Sequence, residues 1–143
     1  REEAHMIRLR RVGGATVVDD LAGDLLASLA AEGHPLRAVL CGGGHPIHAQ
    51  REQWTDGANY FALGAGVVVG YARNHRTAAA MAEAGFEGLS PSAFLGVLEA
   101  DFSGDVDALL ASGRRMAVHL VGSELSRGRG GPRCLTWPLR REG

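Results

Sequence analysis

Hydrophobic and charged residues alternate at the start of the chain. In residues 5–11, Ile7 and Leu9 alternate with Arg8 and Arg10. This period of two is typical of a β-strand with one solvent-facing side, because successive side chains of a strand point to opposite faces. The pattern therefore predicts an opening strand over residues 5–11.

A helical period follows this strand. Asp19 and Asp20 suit the capping position of a helix, because a carboxylate can accept hydrogen bonds from the free N–H groups of the first turn. Gly33 and Pro35 are residue types that commonly lie just beyond a helix end. We therefore predict a helix that begins after these aspartates and ends near Glu32. Its apolar face would consist of Leu21, Leu25, Leu26 and Leu29.

Short apolar runs separated by glycine make up the middle of the chain. The run Arg37–Cys41 predicts a short buried strand that ends in the irregular segment Gly42–Pro46. Two further runs, Ala58–Leu63 and Val67–Tyr71, are separated by Gly64–Gly66. This arrangement predicts a β-hairpin with a three-residue connection.

Helix signals dominate the second half. Asn74 suits the cap of an alanine-rich helix that ends at Gly85, and Ser90-Pro91 is a capping residue followed by the proline favoured at the first helical position. A short helix is predicted over Asp105–Ala111 and a strand over Arg114–Val121. The apolar face of the helix after Pro91 would contain Phe94, Val97 and Leu98. Because strands and helices alternate with short connections, we predict an α/β fold and a single domain over residues 1–143.

Composition narrows the classes of partner. The 143 residues carry a formal net charge of −1, so the chain has no overall field that would attract nucleic acid or a membrane surface. Its two cysteines, Cys41 and Cys134, are too few for a secreted disulfide scaffold. We expect a soluble, cytoplasmic protein without a nucleic-acid or membrane partner.

The segment Glu124–Cys134 contains the residues most indicative of a reactive site. Three arginines and three glycines precede its cysteine. Guanidinium charge from Arg127, Arg129 and Arg133 favours the thiolate form, which is the nucleophile in cysteine chemistry. Glycine lets the backbone approach a ligand closely. These features make Cys134 a candidate nucleophile, although a lone cysteine before a strand is more often an inert small hydrophobic residue.

The segment from Glu124 through Cys134 to Leu139 resembles the C-terminal signature of arginine deiminases. A second block, Pro46–Asn59, followed by Gly66–Val69 and Tyr71–Asn74, is similar to the stretch that precedes this signature in the family. The two blocks occur in the family order and the resemblance covers nearly the whole chain.

The resemblance implies the C-terminal portion of a pentein-type α/β propeller, which is built from ββαβ units. It also implies the conversion of arginine and water to citrulline and ammonia through an amidino-cysteine intermediate, without a metal or an organic cofactor. By motif position, Cys134 would be the nucleophile. Arg129 would bind the α-carboxylate of the substrate, with Gly128 lining the same pocket, whereas Arg127 and Arg133 would be structural or would stabilise the thiolate.

Some family features are missing. The His-Leu-Asp-Thr motif is absent, and His119-Leu120-Val121-Gly122 matches it in two letters only. Ala65 stands where the family usually has proline, and Ala72 stands where it usually has an acid. We therefore expect a fragment that is inactive alone, with an upstream segment or a second chain completing the active site in an oligomer.

Other functions are compatible with the same residues. Cys41, His45 and His48, together with Cys134, have the ligand types of a Cys2His2 zinc site. The arginine–glycine segment before Cys134 is also compatible with RNA binding, because guanidinium planes stack on bases. Two further alternatives remain. The chain could belong to another guanidino-modifying enzyme of the same superfamily, or it could be a noncatalytic remnant in which Cys134 only packs.

Acidic and aromatic residues near these motifs have structural interpretations. Asp56 precedes Gly57 and suits a turn, whereas Glu124 suits an ion pair with the neighbouring arginines, and we expect Glu52 to be structural as well. Trp54 and Trp137 are interpreted as packing residues.

Overall fold

The computed structural model describes residues 6–21, 23–137 and 139. The chain divides into two compact units, Arg1–Ala38 and Val39–Gly143. The first unit contains a β-hairpin and a helix, and the second contains a four-stranded sheet with several helices. That residues 1–143 form the C-terminal portion of one catalytic domain stays a prediction.

The β-hairpin of the first unit confirms the opening strand. Strand β1 (Met6–Val12) pairs antiparallel with β2 (Ala15–Leu21), and Val12 lies opposite Ala15 at the turn. The turn residues Gly13 and Gly14 have φ angles of 57° and 86°. Positive φ at both central residues matches the twist of a hairpin and is easily adopted only by glycine and a few small polar residues.

The predicted start of the first helix is wrong. Asp19 and Asp20 lie in β2, because the glycine turn folds residues 15–21 back along β1. Asp19 accepts hydrogen bonds from Arg8 and Arg10 across the strands, and the bond from Arg10 lowers the pKa of Asp19. Helix α1 begins later, at Leu25, and ends at Ala31; Asp24 caps it by accepting the Ala27 N–H at 2.8 Å.

The predicted strand over Arg37–Cys41 is also wrong. Residues 34–40 have no regular secondary structure, and no described strand pairs with them. Leu40, which lies in this run and was expected to be buried, is exposed. A strand needs a hydrogen-bonded neighbour, and an apolar run does not specify one.

The second unit is built on a four-stranded sheet of β3 (Phe61–Gly64), β4 (Val67–Tyr71), β5 (Glu87–Leu89) and β6 (Met116–Leu120). The strands lie side by side in the order β3-β4-β6-β5. Strands β3 and β4 form the predicted hairpin, with the two-residue connection Ala65-Gly66 in place of three residues. Strand β6, also predicted, runs parallel to both β4 and β5. The three-residue β5 had no pattern long enough to predict it.

Helices precede, connect and follow the strands of this sheet. The ranges are α2 (Pro46–Trp54), α3 (His75–Glu83), α4 (Pro91–Phe102), α5 (Val106–Ala111) and α6 (Ser123–Arg127), with 3-10 turns at Cys41–Gly44 and Pro132–Leu135. The caps predicted for α4 and α5 are confirmed, since Ser90 accepts the Ala93 N–H and Asp105 accepts the Ala108 N–H. Helix α2 was not predicted.

The buried core of this unit lies between the sheet and α4 and α5. Val67, Leu109 and Met116 are fully buried at its centre. The partly buried residues packed against them are Leu89, Phe94, Val97, Leu98, Phe102 and Leu110. The predicted apolar face of α4 is therefore confirmed.

The described residues form a mixed α/β structure with two sheets, which confirms the predicted class at that level. The propeller arrangement stays a prediction. No helix within the described ranges is both long enough and apolar enough to cross a lipid bilayer.

Candidate active site

Cys134 lies in the 3-10 turn Pro132–Leu135 that follows α6 and a glycine-containing loop. Its thiol is exposed. The Cys134 N–H donates to the Gly131 carbonyl at 3.0 Å, and the sulfur accepts the Asn59 amide Nδ2–H at 3.0 Å. An accessible sulfur with a fixed hydrogen-bond donor is compatible with nucleophilic chemistry.

The loop that carries Cys134 is held at Gly130. The Gly130 N–H donates to Asp56 Oδ2 at 3.1 Å, and the Gly130 carbonyl accepts the Tyr71 hydroxyl at 2.9 Å. Tyr71 is only 1% exposed. Burial raises the pKa of Tyr71, and nearby Asp56 and Cys134 raise it further, so the phenol remains a hydrogen-bond donor at neutral pH. The N–H and the carbonyl of Gly130 are thus both hydrogen-bonded to side chains of the same unit, Asp56 in the turn after α2 and Tyr71 on β4.

Two loop glycines are required by geometry. Gly130 has a φ of 119°, which residues with a side chain rarely adopt. At Gly131 an added Cβ would lie 2.5 Å from the Cβ of Asn59, well inside van der Waals contact. The glycines therefore let the loop approach Asn59 closely enough for the bond to Cys134.

Arg129 also has an unusual backbone, with a φ of 63°. Its guanidinium carbon lies 3.8 Å from the centroid of the Trp54 ring, which is a cation–π contact. Trp54 is 62% exposed, and its ring packs against the Arg129 side chain, so the packing interpretation is confirmed only for that contact. Trp137, by contrast, is 84% exposed, so its packing interpretation is wrong for the described residues.

The remaining residues of the signature lie on or near α6. Gly128 ends α6, and Arg127 pairs with Glu124 at 3.1 Å, which confirms the predicted role of Glu124. Both partners of this pair are largely exposed. Arg133 is exposed, and within the described ranges it forms no ion pair. The structure therefore assigns Arg127 a structural partner other than the thiol.

Glu52, on α2, is structural. Its carboxylate accepts the N–H groups of Arg76 and Thr77 at 2.9 and 2.8 Å, and also the Thr77 hydroxyl. Burial alone would raise the pKa of Glu52, but these hydrogen bonds outweigh it and lower the pKa. Glu52 thus caps α3 from outside the helix.

The capping role predicted for the Asn74 side chain is wrong, although Asn74 does lie at the start of α3. The buried Asn74 amide donates to the Thr55 carbonyl at 2.9 Å and accepts the Thr55 hydroxyl. It therefore ties α3 to the end of α2 and leaves the helix cap to Glu52.

The zinc alternative is wrong for the described part of the chain. There, no group of three or more histidine, cysteine, aspartate or glutamate side chains is arranged to hold a metal ion. The rings of His45 and His48 lie 4.7 Å apart, but Cys41 contacts the Thr77 hydroxyl. Cys41 and Cys134 are both free thiols.

His119, the partial match to the family histidine motif, pairs with Tyr60 at 3.3 Å between Nε2 and the hydroxyl oxygen. Burial lowers the pKa of His119 and raises the pKa of Tyr60 to about 12. Among the described residues, the hydrogen-bond partner of the Cys134 sulfur is Asn59 and not a histidine.

Sequence patterns did not single out Asn59 or Tyr71, and they indicated only a turn at Asp56. The turn is confirmed, with a φ of 58° at Asp56. The one available signal was that both Asp56 and Asn59 lie in the block Pro46–Asn59 that resembles the family. Their contacts with the cysteine loop join residues 74 and 75 positions apart, beyond the reach of any local pattern.

Comparison with known proteins extends the resemblance. The family model for arginine deiminase matches residues 6–141. The arginine deiminase of Borreliella afzelii is 37% identical over 111 residues, which cover 77% of this chain and 20% of that protein. That of Mycoplasma capricolum is 38% identical over 112 residues, covering 78% and 21%. That of Mycolicibacterium gilvum is 35% identical over 134 residues, covering 94% and 26%.

The chain spans about one fifth to one quarter of the length of these relatives. The family model nevertheless covers almost all of this chain, including the cysteine loop and the turn that contacts it. The chain belongs to the arginine deiminase family.

Proposed function

We propose that this chain supplies the nucleophile for the hydrolysis of L-arginine to L-citrulline and ammonia. The observation that carries the proposal is the Cys134 sulfur, which is exposed and accepts a hydrogen bond from Asn59 at 3.0 Å. Membership of the arginine deiminase family supports the choice of arginine as the substrate. Because both cysteines are free, a reducing cytoplasm is the proposed location.

The chemistry follows from the thiolate. The Cys134 sulfur attacks the guanidinium carbon of arginine, forming a carbon–sulfur bond. The carbon–nitrogen bond to one terminal nitrogen then breaks, and that nitrogen takes a proton and leaves as ammonia. Water attacks the resulting amidino-cysteine, and breaking the carbon–sulfur bond releases citrulline and regenerates the thiolate.

Arg129 and Gly128 are proposed to bind the α-carboxylate of the substrate. The Arg129 guanidinium is exposed and stacked on Trp54, and among the described residues it pairs with no carboxylate. A planar guanidinium that keeps its N–H groups free can bind a carboxylate through two parallel hydrogen bonds. Its position five residues before Cys134 agrees with the family motif.

A further part of the enzyme is required. Proton transfer to the leaving ammonia needs an acid–base group, and the delocalised charge of guanidinium needs nearby carboxylates. The described contacts of the Cys134 sulfur include neither. We propose that an upstream segment or a second chain supplies a histidine and carboxylates, that the active form is an oligomer, and that this chain alone is inactive.

A chimera tests the proposed reaction. In the chimera, this chain replaces the matching region of the Mycolicibacterium gilvum relative, because the alignment with that relative covers 94% of this chain. Citrulline formation from arginine is then measured. Folding is checked by circular dichroism. We expect citrulline from the chimera, loss of citrulline in Cys134→Ala, and retention in the matched control Cys41→Ala.

Two outcomes contradict the proposal. Citrulline formation that survives Cys134→Ala excludes this sulfur as the nucleophile. A folded chimera that is inactive, although a thiol reagent still modifies Cys134, excludes arginine deimination by this chain. Citrulline made by the 143-residue chain on its own would refute only the requirement for a further part.

A further inference from the structure

The hydrogen bond between Asn59 and Cys134 has a defined direction. The Asn59 amide nitrogen faces Asp56 Oδ1 at 3.5 Å as well as the Cys134 sulfur at 3.0 Å. An ionised carboxylate can only accept hydrogen bonds, so the group beside Asp56 must be the NH2 and not the carbonyl oxygen of the amide. The sulfur of Cys134 is consequently the acceptor.

The acceptor strength of the sulfur depends on its protonation. A thiol sulfur is a weak acceptor, whereas a thiolate carries a full negative charge and accepts a charge-assisted hydrogen bond. A donor fixed beside the sulfur therefore stabilises the thiolate more than the thiol. The proton released from the sulfur passes to water.

Asp56 fixes both partners of this bond. One of its oxygens, Oδ1, faces the Asn59 amide, and the other, Oδ2, accepts the N–H of Gly130 at 3.1 Å. The Asn59 N–H also donates to the Asp56 carbonyl at 3.0 Å. A single residue thus holds the donor and the loop that carries the acceptor.

We propose that Asn59 is a catalytic hydrogen-bond donor that stabilises the thiolate form of Cys134 relative to the thiol, and that Asp56 is the residue that positions both. This assignment rests on the proposed role of Cys134 as the nucleophile. Asn59 touches the reacting atom directly, whereas Asp56 acts through Asn59 and through the backbone of Gly130.

The test is the rate at which iodoacetamide alkylates Cys134 as a function of pH. The peptides containing Cys134 and Cys41 are resolved by mass spectrometry, so that Cys41 serves as an internal reference in each sample. The reaction needs only the thiolate, which displaces iodide, and it does not require arginine turnover. The alkylation assay therefore tests the role of Asn59 even if the proposed conversion of arginine to citrulline is not observed.

Asn59→Ala removes the donor. We expect the alkylation rate of Cys134 at neutral pH to fall about tenfold, and the midpoint of the rate against pH to rise by about one unit, the equivalent of a tenfold change in ionisation. Asn59→Asp keeps the volume but replaces the donor with a carboxylate, and we expect a larger rise of the midpoint, because two negative charges repel.

Thr136→Ala is the matched control. The Thr136 hydroxyl donates to the Arg133 carbonyl at 2.8 Å in the same turn, but it does not contact the sulfur. This variant is expected to keep the Cys134 midpoint. Asp56→Asn should slow the alkylation of Cys134 while leaving the rate at Cys41 unchanged.

Unchanged midpoints in both Asn59 variants would overturn the proposal and make Asn59 a packing residue. Equal shifts in the Asn59 variants and in Thr136→Ala would do the same, because they would reflect a general disturbance of the turn. If Asn59→Ala does not fold, Asn59→Val, which also carries neither a donor nor a charge, decides the question in its place.

Discussion

The guanidinium of Arg129 lies 3.8 Å from the centroid of the Trp54 ring, and the Arg129 backbone has a φ of 63°. A left-handed conformation is unfavourable for arginine, so other contacts must hold it. The neighbouring Gly130 donates a hydrogen bond from its N–H to Asp56 and accepts one at its carbonyl from Tyr71. The proposed substrate contact is thus oriented by the backbone and by an aromatic ring together.

Trp54→Ala is expected to release the Arg129 side chain. From this geometry we expect the ring current of Trp54 to shift the Arg129 side-chain protons upfield in NMR spectra. The variant should return them towards the values of an exposed arginine. The loss of stability should be about 0.5–1 kcal/mol, typical of an exposed cation–π contact. Trp137→Ala is the control, since Trp137 is 84% exposed and should leave the Arg129 signals in place.

Glu52→Gln is expected to weaken the cap of α3, with a loss of about 0.5–2 kcal/mol in the free energy of unfolding at pH 7. The folded-state pKa of Glu52 is lowered, so the ionised carboxylate stabilises the fold above the unfolded pKa, and this contribution is lost as pH falls through the folded pKa. Urea unfolding of both proteins should therefore show a difference at pH 7 that shrinks below about pH 4.3.

The matched control is Glu83→Gln, at the end of α3 and exposed. It removes one negative charge from α3 itself without touching the capped N–H groups. A Glu52→Gln difference that stays constant from pH 7 to pH 3 would show that the carboxylate does not act as an ionised cap.

His119 is expected to make stability depend on pH in the neutral range. Burial lowers its pKa in the folded state, so the unfolded chain binds the proton more readily. The free energy of unfolding should fall as pH decreases below the unfolded value of about 6.5. His119→Gln should reduce this slope between pH 7 and pH 5 in urea unfolding. An unchanged slope in His119→Gln would contradict the expectation.

Gly131→Ala and Gly96→Ala should change stability in opposite directions. The new methyl group at residue 131 would lie 2.5 Å from Asn59 Cβ, so the loop must shift, at a cost of about 1–3 kcal/mol. At Gly96, on α4, nothing lies within 4 Å of the added Cβ. There alanine should stabilise the helix by about 0.5–1 kcal/mol.

Thermal unfolding measures both glycine variants, and the alkylation rate of Cys134 shows whether Gly131→Ala also moves Asn59 away from the sulfur. A Gly131→Ala protein that is as stable as the parent, with unchanged alkylation, would mean that the loop adjusts without cost.

Local signals in the sequence were sufficient for several elements. The caps at Ser90 and Asp105 form hydrogen bonds to N–H groups three residues along the chain, so residue type and spacing predict them. The β3–β4 hairpin follows from two apolar runs around a glycine connection. The candidate nucleophile Cys134 was identified by the arginine and glycine residues next to it and by the family signature that they form.

The predictions for other elements were wrong because the local sequence patterns were ambiguous. Residues 15–21 contain apolar residues compatible with either a helix or a strand, and the glycine pair at 13–14 decided for a strand. That signal, a glycine pair between two apolar runs, is present in the sequence. The run Arg37–Cys41 has the composition of a strand, but the described structure provides it with no partner.

The amino-acid sequence by itself determined the α/β class, several caps and turns of individual elements, and the position of the candidate nucleophile Cys134 within a family motif. Only the tertiary structure decided that Glu52, and not Asn74, caps α3, and that Asn59 faces the Cys134 sulfur. These contacts join residues 25 and 75 positions apart. Local periodicity cannot specify them, because such distances are set by how strands and helices pack and not by the properties of either segment alone.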